Sequence, residues 1–150
     1  MSLQARLIKA VTRRTIKRSG LNQEQLVRHL RKVFNDTPVL TLLPRGVTLS
    51  RVEQPAFTGD RVSVKQPRMT VLYLHGGAYI GGITKTYHNL AGRLAKKLQA
   101  DVYLPVYPFA PEHPFPAAVN RVMEAYEYLL SLGKQPNDIV IAGDSAGGGL

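Results

Sequence analysis

A mostly parallel α/β sheet covered by helices is the fold class that this 150-residue sequence predicts, and three observations carry it. The stretch "MTVLYL" is a nearly continuous apolar run, as expected of a strand buried on both faces, and "IVIAG" is a shorter apolar run. Stretches of helical period separate the strand candidates, so strand and helix alternate along the chain. Both of the apolar runs lead directly into glycine-rich turns, and open α/β sheets bind ligands at the carboxyl ends of their strands.

The elements follow in order. Leu3, Leu7, Ile8, Ala10 and Val11 share one helical face while Arg6, Lys9, Arg13 and Lys17 share the other, which predicts an amphipathic basic helix. A second helix is expected over about Asn22 to Phe34, with Leu26, Leu30, Val33 and Phe34 at helical spacing. Its His29 stands among Arg28, Arg31 and Lys32 and reads as a surface residue. Asp36 to Pro44 has two prolines and reads as a linker. Residues 1–45 are therefore taken as an N-terminal helical region and residues 46–150 as the α/β body.

Within the body, Val47 to Glu53 and Arg61 to Lys65 alternate apolar and polar residues, as half-exposed strands do, with a turn expected at Thr58-Gly59-Asp60. "MTVLYLHGG" supplies the next strand. Thr84 to Gln99 is helical, with Leu90, Ala91, Leu94, Ala95 and Leu98 on one side. "DVYLPVYP" is a strand candidate despite Pro105. Pro116 suits the first turn of a helix whose buried stripe is Val119, Val122, Met123, Tyr126, Leu129 and Leu130, and Gly133 stops it. Ile139 to Ala142 is the last strand.

Composition narrows the classes. An apolar content of 44% argues against disorder, and the absence of cysteine excludes a disulfide framework and permits a cytoplasmic location. The formal charge of +10 invites a nucleic-acid reading, but its distribution argues otherwise. Residues 1–50 carry a net +8 and residues 51–150 only +2, so the basic character belongs to the N-terminal third. There it fits the solvated face of a helix docked on its own protein, and next an anionic membrane surface. The apolar residues of the first helix form no continuous secretory run, and no stretch is long enough to span a bilayer.

Gly143-Asp144-Ser145-Ala146-Gly147 matches GxSxG, the pattern in which a serine occupies a strained strand-to-helix bend and small neighbours allow strand and helix to pack closely. The five residues alone are weak, but an apolar strand precedes them here. His75-Gly76-Gly77-Ala78 nearly matches the HGGG turn, whose backbone N–H groups face the negative charge that builds on an ester carbonyl oxygen during hydrolysis. Neither turn holds GxGxxG or the Gly-Lys-Ser/Thr of a phosphate loop. "GDSAGG" is also similar to the Gly-Asp-Ser-Gly-Gly of chymotrypsin-like proteases, but those are all-β and this chain has two strongly helical stretches.

Three blocks together, "HGGAY" at 75–79, "YPFAPEHPFPAA" at 107–118 and "GDSAGG" at 143–148, resemble the hormone-sensitive-lipase-like, or bacterial class IV, branch of the α/β-hydrolase esterases and lipases. The resemblance covers about residue 45 to the end and implies a carboxylesterase or lipase of α/β-hydrolase fold, with N-terminal helices contributing to a cap. It implies Ser145 as nucleophile and the N–H groups of Gly77, Ala78 and Ala146 as the oxyanion hole. His75, with Gly76, would support the oxyanion loop without acting as the general base, Tyr79 would border the substrate pocket, and Glu112 would be structural. Ala78 replaces the third glycine of HGGG and keeps its N–H, a tolerable change where the bend does not need positive φ. Pro108 replaces a common arginine, so Glu112 is expected to bond elsewhere.

The family order of Ser, then Asp or Glu, then His puts the other two triad members after Ser145, where only Ala146 to Leu150 remain. The sequence therefore reads as the N-terminal half of an esterase, truncated after the elbow and inactive alone, with short to medium acyl esters as substrates and no metal or cofactor. His88 and His113 are read as surface or loop histidines and not as substitute bases. The competing reading is a non-enzymatic product that binds a membrane surface or an acidic partner through its basic helix.

Overall fold

The computed structural model describes residues 20–35 and 42–150. The basic helix expected over Leu3 to Lys17, and linker residues 36–41, lie outside the described residues. The chain divides into two compact units, Met1–Thr37 and Pro38–Leu150. Helix α1 (Gln23–Asn35) belongs to the first. Its start is fixed by a reciprocal capping box, in which Gln25 N–H donates to Asn22 Oδ1 at 2.9 Å and Asn22 N–H donates to Gln25 Oε1 at 3.1 Å.

The second unit is a five-stranded sheet in the order β1-β2-β4-β3-β5. Its strands are β1 (Val47–Gln54), β2 (Phe57–Val64), β3 (Met69–Leu74), β4 (Ala100–Pro105) and β5 (Ile139–Gly143). The pairings are mixed: β3 runs parallel to β4 and β5, whereas β2 pairs antiparallel with β1 and β4. Helices join the parallel strands, as such crossovers require, and a tight hairpin joins the first two.

That hairpin corrects one expectation. The turn is at Pro55-Ala56, and Thr58-Gly59-Asp60 lies inside β2, where Gly59 faces Val52 on one side and Pro105 on the other. The glycine serves close strand approach: a Cβ there would sit 2.3 Å from the Leu104 carbonyl oxygen. Pro105 is accommodated as the last residue of β4.

Helix α2 (Lys85–Leu98) and helix α3 (Ala117–Ser131) each pack on the sheet. Successive strand side chains go to opposite faces, and the core divides accordingly. Leu72, Leu74, Tyr103 and Phe57 join Val122, Ala125 and Leu129 of α3. Val71, Tyr73, Val102 and Leu104 join Ala91 and Ala95 of α2. This two-sided burial is the reason "MTVLYL" lacks alternation.

One other expectation changes. Met123 and Leu130 of α3 are exposed, because the buried line on that helix runs through Val122, Ala125 and Leu129. In β5, Val140 and Ile141 are 44% and 58% exposed. Among the described residues β5 pairs with β3 alone and forms one edge of the sheet. Gly133 (φ +81) terminates α3 as expected. Among the described residues no helix is long and apolar enough to cross a membrane.

Candidate active site

The two glycine-rich turns meet at the carboxyl ends of β3 and β5, which are parallel neighbours with Leu74 opposite Gly143. Ser145 follows β5 on a sharp bend with φ +50 and ψ −119, the strained conformation that GxSxG predicts, and helix α4 (Ala146–Gly149) begins directly after it. The small residues around the serine are required by contact. A Cβ on Gly147 would lie 2.0 Å from the Leu74 carbonyl oxygen, so only glycine lets α4 start this close to β3. Ser145 is exposed, and Ala146 is buried behind it.

Residues 75–79 form the facing loop. His75 is fully buried and stacks on Tyr107, with ring centroids 4.3 Å apart and planes 9° from parallel. Its Nδ1 lies 2.7 Å from the Gly76 carbonyl oxygen, and the Tyr107 hydroxyl donates to the His75 carbonyl. Burial lowers the imidazole pKa, outweighing the opposing effects of the Gly76 carbonyl and the Asp144 carboxylate. A ring held between a tyrosine and its own backbone is placed to shape the loop.

Three consecutive residues then take positive φ: Gly77 at +131, Ala78 at +54 and Tyr79 at +61. The condition under which alanine would be tolerated at position 78 without strain is not met, since its methyl is carried in the left-handed region at a cost of about 1–2 kcal/mol. Local bonds sustain the turn, with the Ile80 and Gly81 N–H groups donating to the Gly77 carbonyl and Ala110 N–H donating to that of Tyr79.

Asp144 joins the two turns. Its Oδ1 accepts from Gly76 N–H at 3.0 Å and from the Tyr73 hydroxyl at 3.2 Å, and its Oδ2 accepts from the Tyr87 hydroxyl at 3.1 Å. Gly76 N–H also lies 2.9 Å from the Tyr87 oxygen. Burial, reinforced by the Asp144 charge, pushes both the Tyr73 and the Tyr87 hydroxyls up to about 12. Sequence reasoning did not find Asp144, Tyr73 or Tyr87. Asp144 is the unspecified residue of GxSxG, and a tyrosine in a strand or a helix looks like ordinary core until the packing is known.

A cavity of about 400 Å³ adjoins the loop, lined among others by Tyr79, Pro108, Ala110, His113, Gly149 and Leu150. Tyr79 lines this cavity, with its hydroxyl beside Gly149. Glu112 and His113 both lie on the exposed loop between β4 and α3. His88 is 2.8 Å through Nε2 from Asp60 of β2, held to the side of the sheet and not to the serine turn. Among the described residues no group of His, Cys, Asp or Glu gathers as metal ligands.

The α/β hydrolase fold profile matches residues 71–150, the span that holds both turns and the cavity loop. The chain belongs to the α/β-hydrolase family. An acetyl-hydrolase from Streptomyces hygroscopicus is 43% identical over 143 residues, covering 84% of this chain and 48% of that protein. An esterase from Acinetobacter venetianus is 41% identical over 80 residues, covering 53% of this chain and 26% of that protein. The crystal structure of EstE5 soaked with p-nitrophenyl butyrate superposes with a TM-score of 0.82 at 30% identity, over 99% of this chain and 50% of that one. An esterase from the bacterial hormone-sensitive lipase family superposes at 0.77 with 27% identity, again over 99% and 50%. This α/β hydrolase therefore sits with the hormone-sensitive-lipase-like esterases, and it spans about half the length of those solved structures or less of the curated relatives.

Proposed function

We propose that this α/β hydrolase contributes the nucleophile and the oxyanion hole of a serine carboxylesterase acting on short to medium acyl esters. The observation that carries the reading is the strained, exposed Ser145 at the end of a parallel strand, tied through Asp144 to a loop of consecutive positive-φ residues. Ser145 Oγ attacks the ester carbonyl carbon, and the proton passes to a histidine base. The carbonyl oxygen becomes an oxyanion that accepts from the N–H groups of Gly77, Ala78 and Ala146. Collapse of the tetrahedral intermediate expels the alcohol, which takes the proton back from the histidine, and water then releases the acid by the same sequence.

The base and its orienting carboxylate are assigned to residues that follow Ser145 in a longer protein. Of the three histidines of the sheet unit, His75 is buried under Tyr107, His88 is paired with Asp60, and His113 lies on the exposed loop between β4 and α3. The 150-residue chain alone is accordingly expected to lack turnover, since loss of the base costs about as much as loss of the whole triad, on the order of 10⁶. The cavity beside Tyr79 lies within the size range of small-molecule pockets and is walled mainly by Pro, Ala, Phe and Val, which suits an apolar acyl or alkyl group.

The test is hydrolysis of p-nitrophenyl butyrate by the full-length protein and its Ser145→Ala variant. Hydrolysis is expected in the first and a loss of about 10⁶ in turnover in the second. Equal rates would remove Ser145 from the mechanism.

A further inference from the structure

Three donors converge on the Asp144 carboxylate: the Tyr73 hydroxyl from β3, the Tyr87 hydroxyl from α2 and the Gly76 N–H from the oxyanion loop. A carboxylate offers about four lone-pair sites, so this one is largely filled. It belongs to the residue immediately before the serine.

Gly76 explains the arrangement from the other side. A Cβ on it would stand 2.6 Å from Asp144 Oδ2 and 2.9 Å from the Tyr87 hydroxyl, so any side chain would displace the carboxylate or the phenol. The glycine is required here by the closeness of its two acceptors. Its N–H is two peptide units before that of Ala78, and the intervening backbone passes through positive φ at Gly77. Conformations of this kind persist only where surrounding contacts over-determine them. On the far side of the loop those contacts are the bonds to the Gly77 and Tyr79 carbonyls; on the near side they are the Asp144 cluster.

We infer that Tyr87 and Tyr73, acting through Asp144, are positioning residues that set the Gly77 and Ala78 N–H groups at the height of the serine oxygen. This rests on the esterase reading and goes beyond it by assigning a function in oxyanion stabilisation to side chains that do not touch substrate. Tyr87 contributes most, because its oxygen both donates to Asp144 and lies within bonding distance of the Gly76 N–H; Tyr73 only donates. The predicted signature is kinetic. Misplaced oxyanion donors weaken binding of the transition state and leave binding of the ester itself nearly unchanged.

The experiment uses the full-length protein with Tyr87→Phe, Tyr73→Phe, Asp144→Asn and the Tyr87→Phe/Asp144→Asn double variant. The measured quantities are kcat and KM on p-nitrophenyl butyrate and inhibition by butylboronic acid, a tetrahedral mimic. Phenylalanine keeps the ring contacts of Tyr87 with Tyr73 and His75 and removes only the hydroxyl. For Tyr87→Phe, kcat is expected to fall about tenfold, the value of one good hydrogen bond, with KM changed less than about twofold and boronate inhibition weakened in step with kcat. The double variant should be no slower than Asp144→Asn alone, because both changes act through one amide. Should Tyr87→Phe fail to fold, Tyr73→Phe carries the test with a loss of about threefold.

An unchanged kcat in Tyr87→Phe, a loss confined to KM, or losses that multiply in the double variant would overturn the inference. Ser145→Ala separates the two levels: if it keeps the wild-type rate, the esterase reading fails. If it abolishes hydrolysis while Tyr87→Phe does not lower kcat, only the positioning role fails.

Discussion

Ala78 stands where the HGGG turn has its third glycine. A conservative exchange of glycine for alanine is harmless only where φ stays negative, and at +54 it does not. Ala78→Gly should therefore raise stability by about 1 kcal/mol in chemical unfolding of the protein, less the entropy that glycine adds to the unfolded chain, while leaving the oxyanion N–H in place. A drop in stability would show that the loop is relaxed in solution. The motif residues themselves were legible, because HGGA and GDSAG are contiguous. The Asp144 cluster was not, because its members are 57 and 71 positions apart in sequence and only the β3–β5 register and the docking of α2 bring them together. The two tyrosines also give the site an alkaline limit. Their native hydroxyls hold protons to about 12 and the unfolded ones to about 10, so the stability they contribute is full below pH 10 and is lost as pH rises to 12. Tyr87→Phe should blunt that alkaline loss in a pH-dependent melting series.

At the scale of elements, periodicity found each long helix of the described residues and the continuous strands, since burial on one stripe or on two faces writes itself into the spacing of apolar residues. It misplaced the first hairpin. Thr58-Gly59-Asp60 has turn composition, yet Gly59 is there because β4 passes within contact of it, and composition cannot distinguish a glycine that bends the chain from one that makes room. The same ambiguity is resolved at the elbow, where Gly147 sits against the Leu74 carbonyl. Gly147→Ala should destabilise the protein by about 3 kcal/mol, the upper end of the usual cost of overpacking, measured as a fall in the urea midpoint. A neutral result would mean that α4 stands further from β3 than the structure has it.

For the whole molecule, charge pairs link the antiparallel hairpin to the parallel half of the sheet. Asp101 of β4 is buried, pairs with the 39%-exposed Arg61 at 2.8 Å and also accepts from Ser63, both on β2. Asp101→Ala should cost about 1–2 kcal/mol, because it removes a buried acceptor while the Arg61 guanidinium keeps access to water. On the other side of β2, burial raises the Asp60 pKa, but bonds from His88 and Arg51 outweigh it and hold the carboxyl below its usual value. Its contribution to stability is therefore complete above the unfolded carboxylate pKa of about 3.9 and disappears as pH falls through the lower native value. Asp60→Asn should flatten the acid limb of stability below about pH 4 when melting is followed against pH. The proposed hydrolysis rests on one oxygen atom, Ser145 Oγ, and peptide mass after the full-length protein reacts with a fluorophosphonate ester tests it. A single adduct is expected on the peptide bearing Ser145, absent in Ser145→Ala and accompanied by loss of ester hydrolysis. An adduct on another residue, or undiminished hydrolysis after Ser145 is modified, would contradict it.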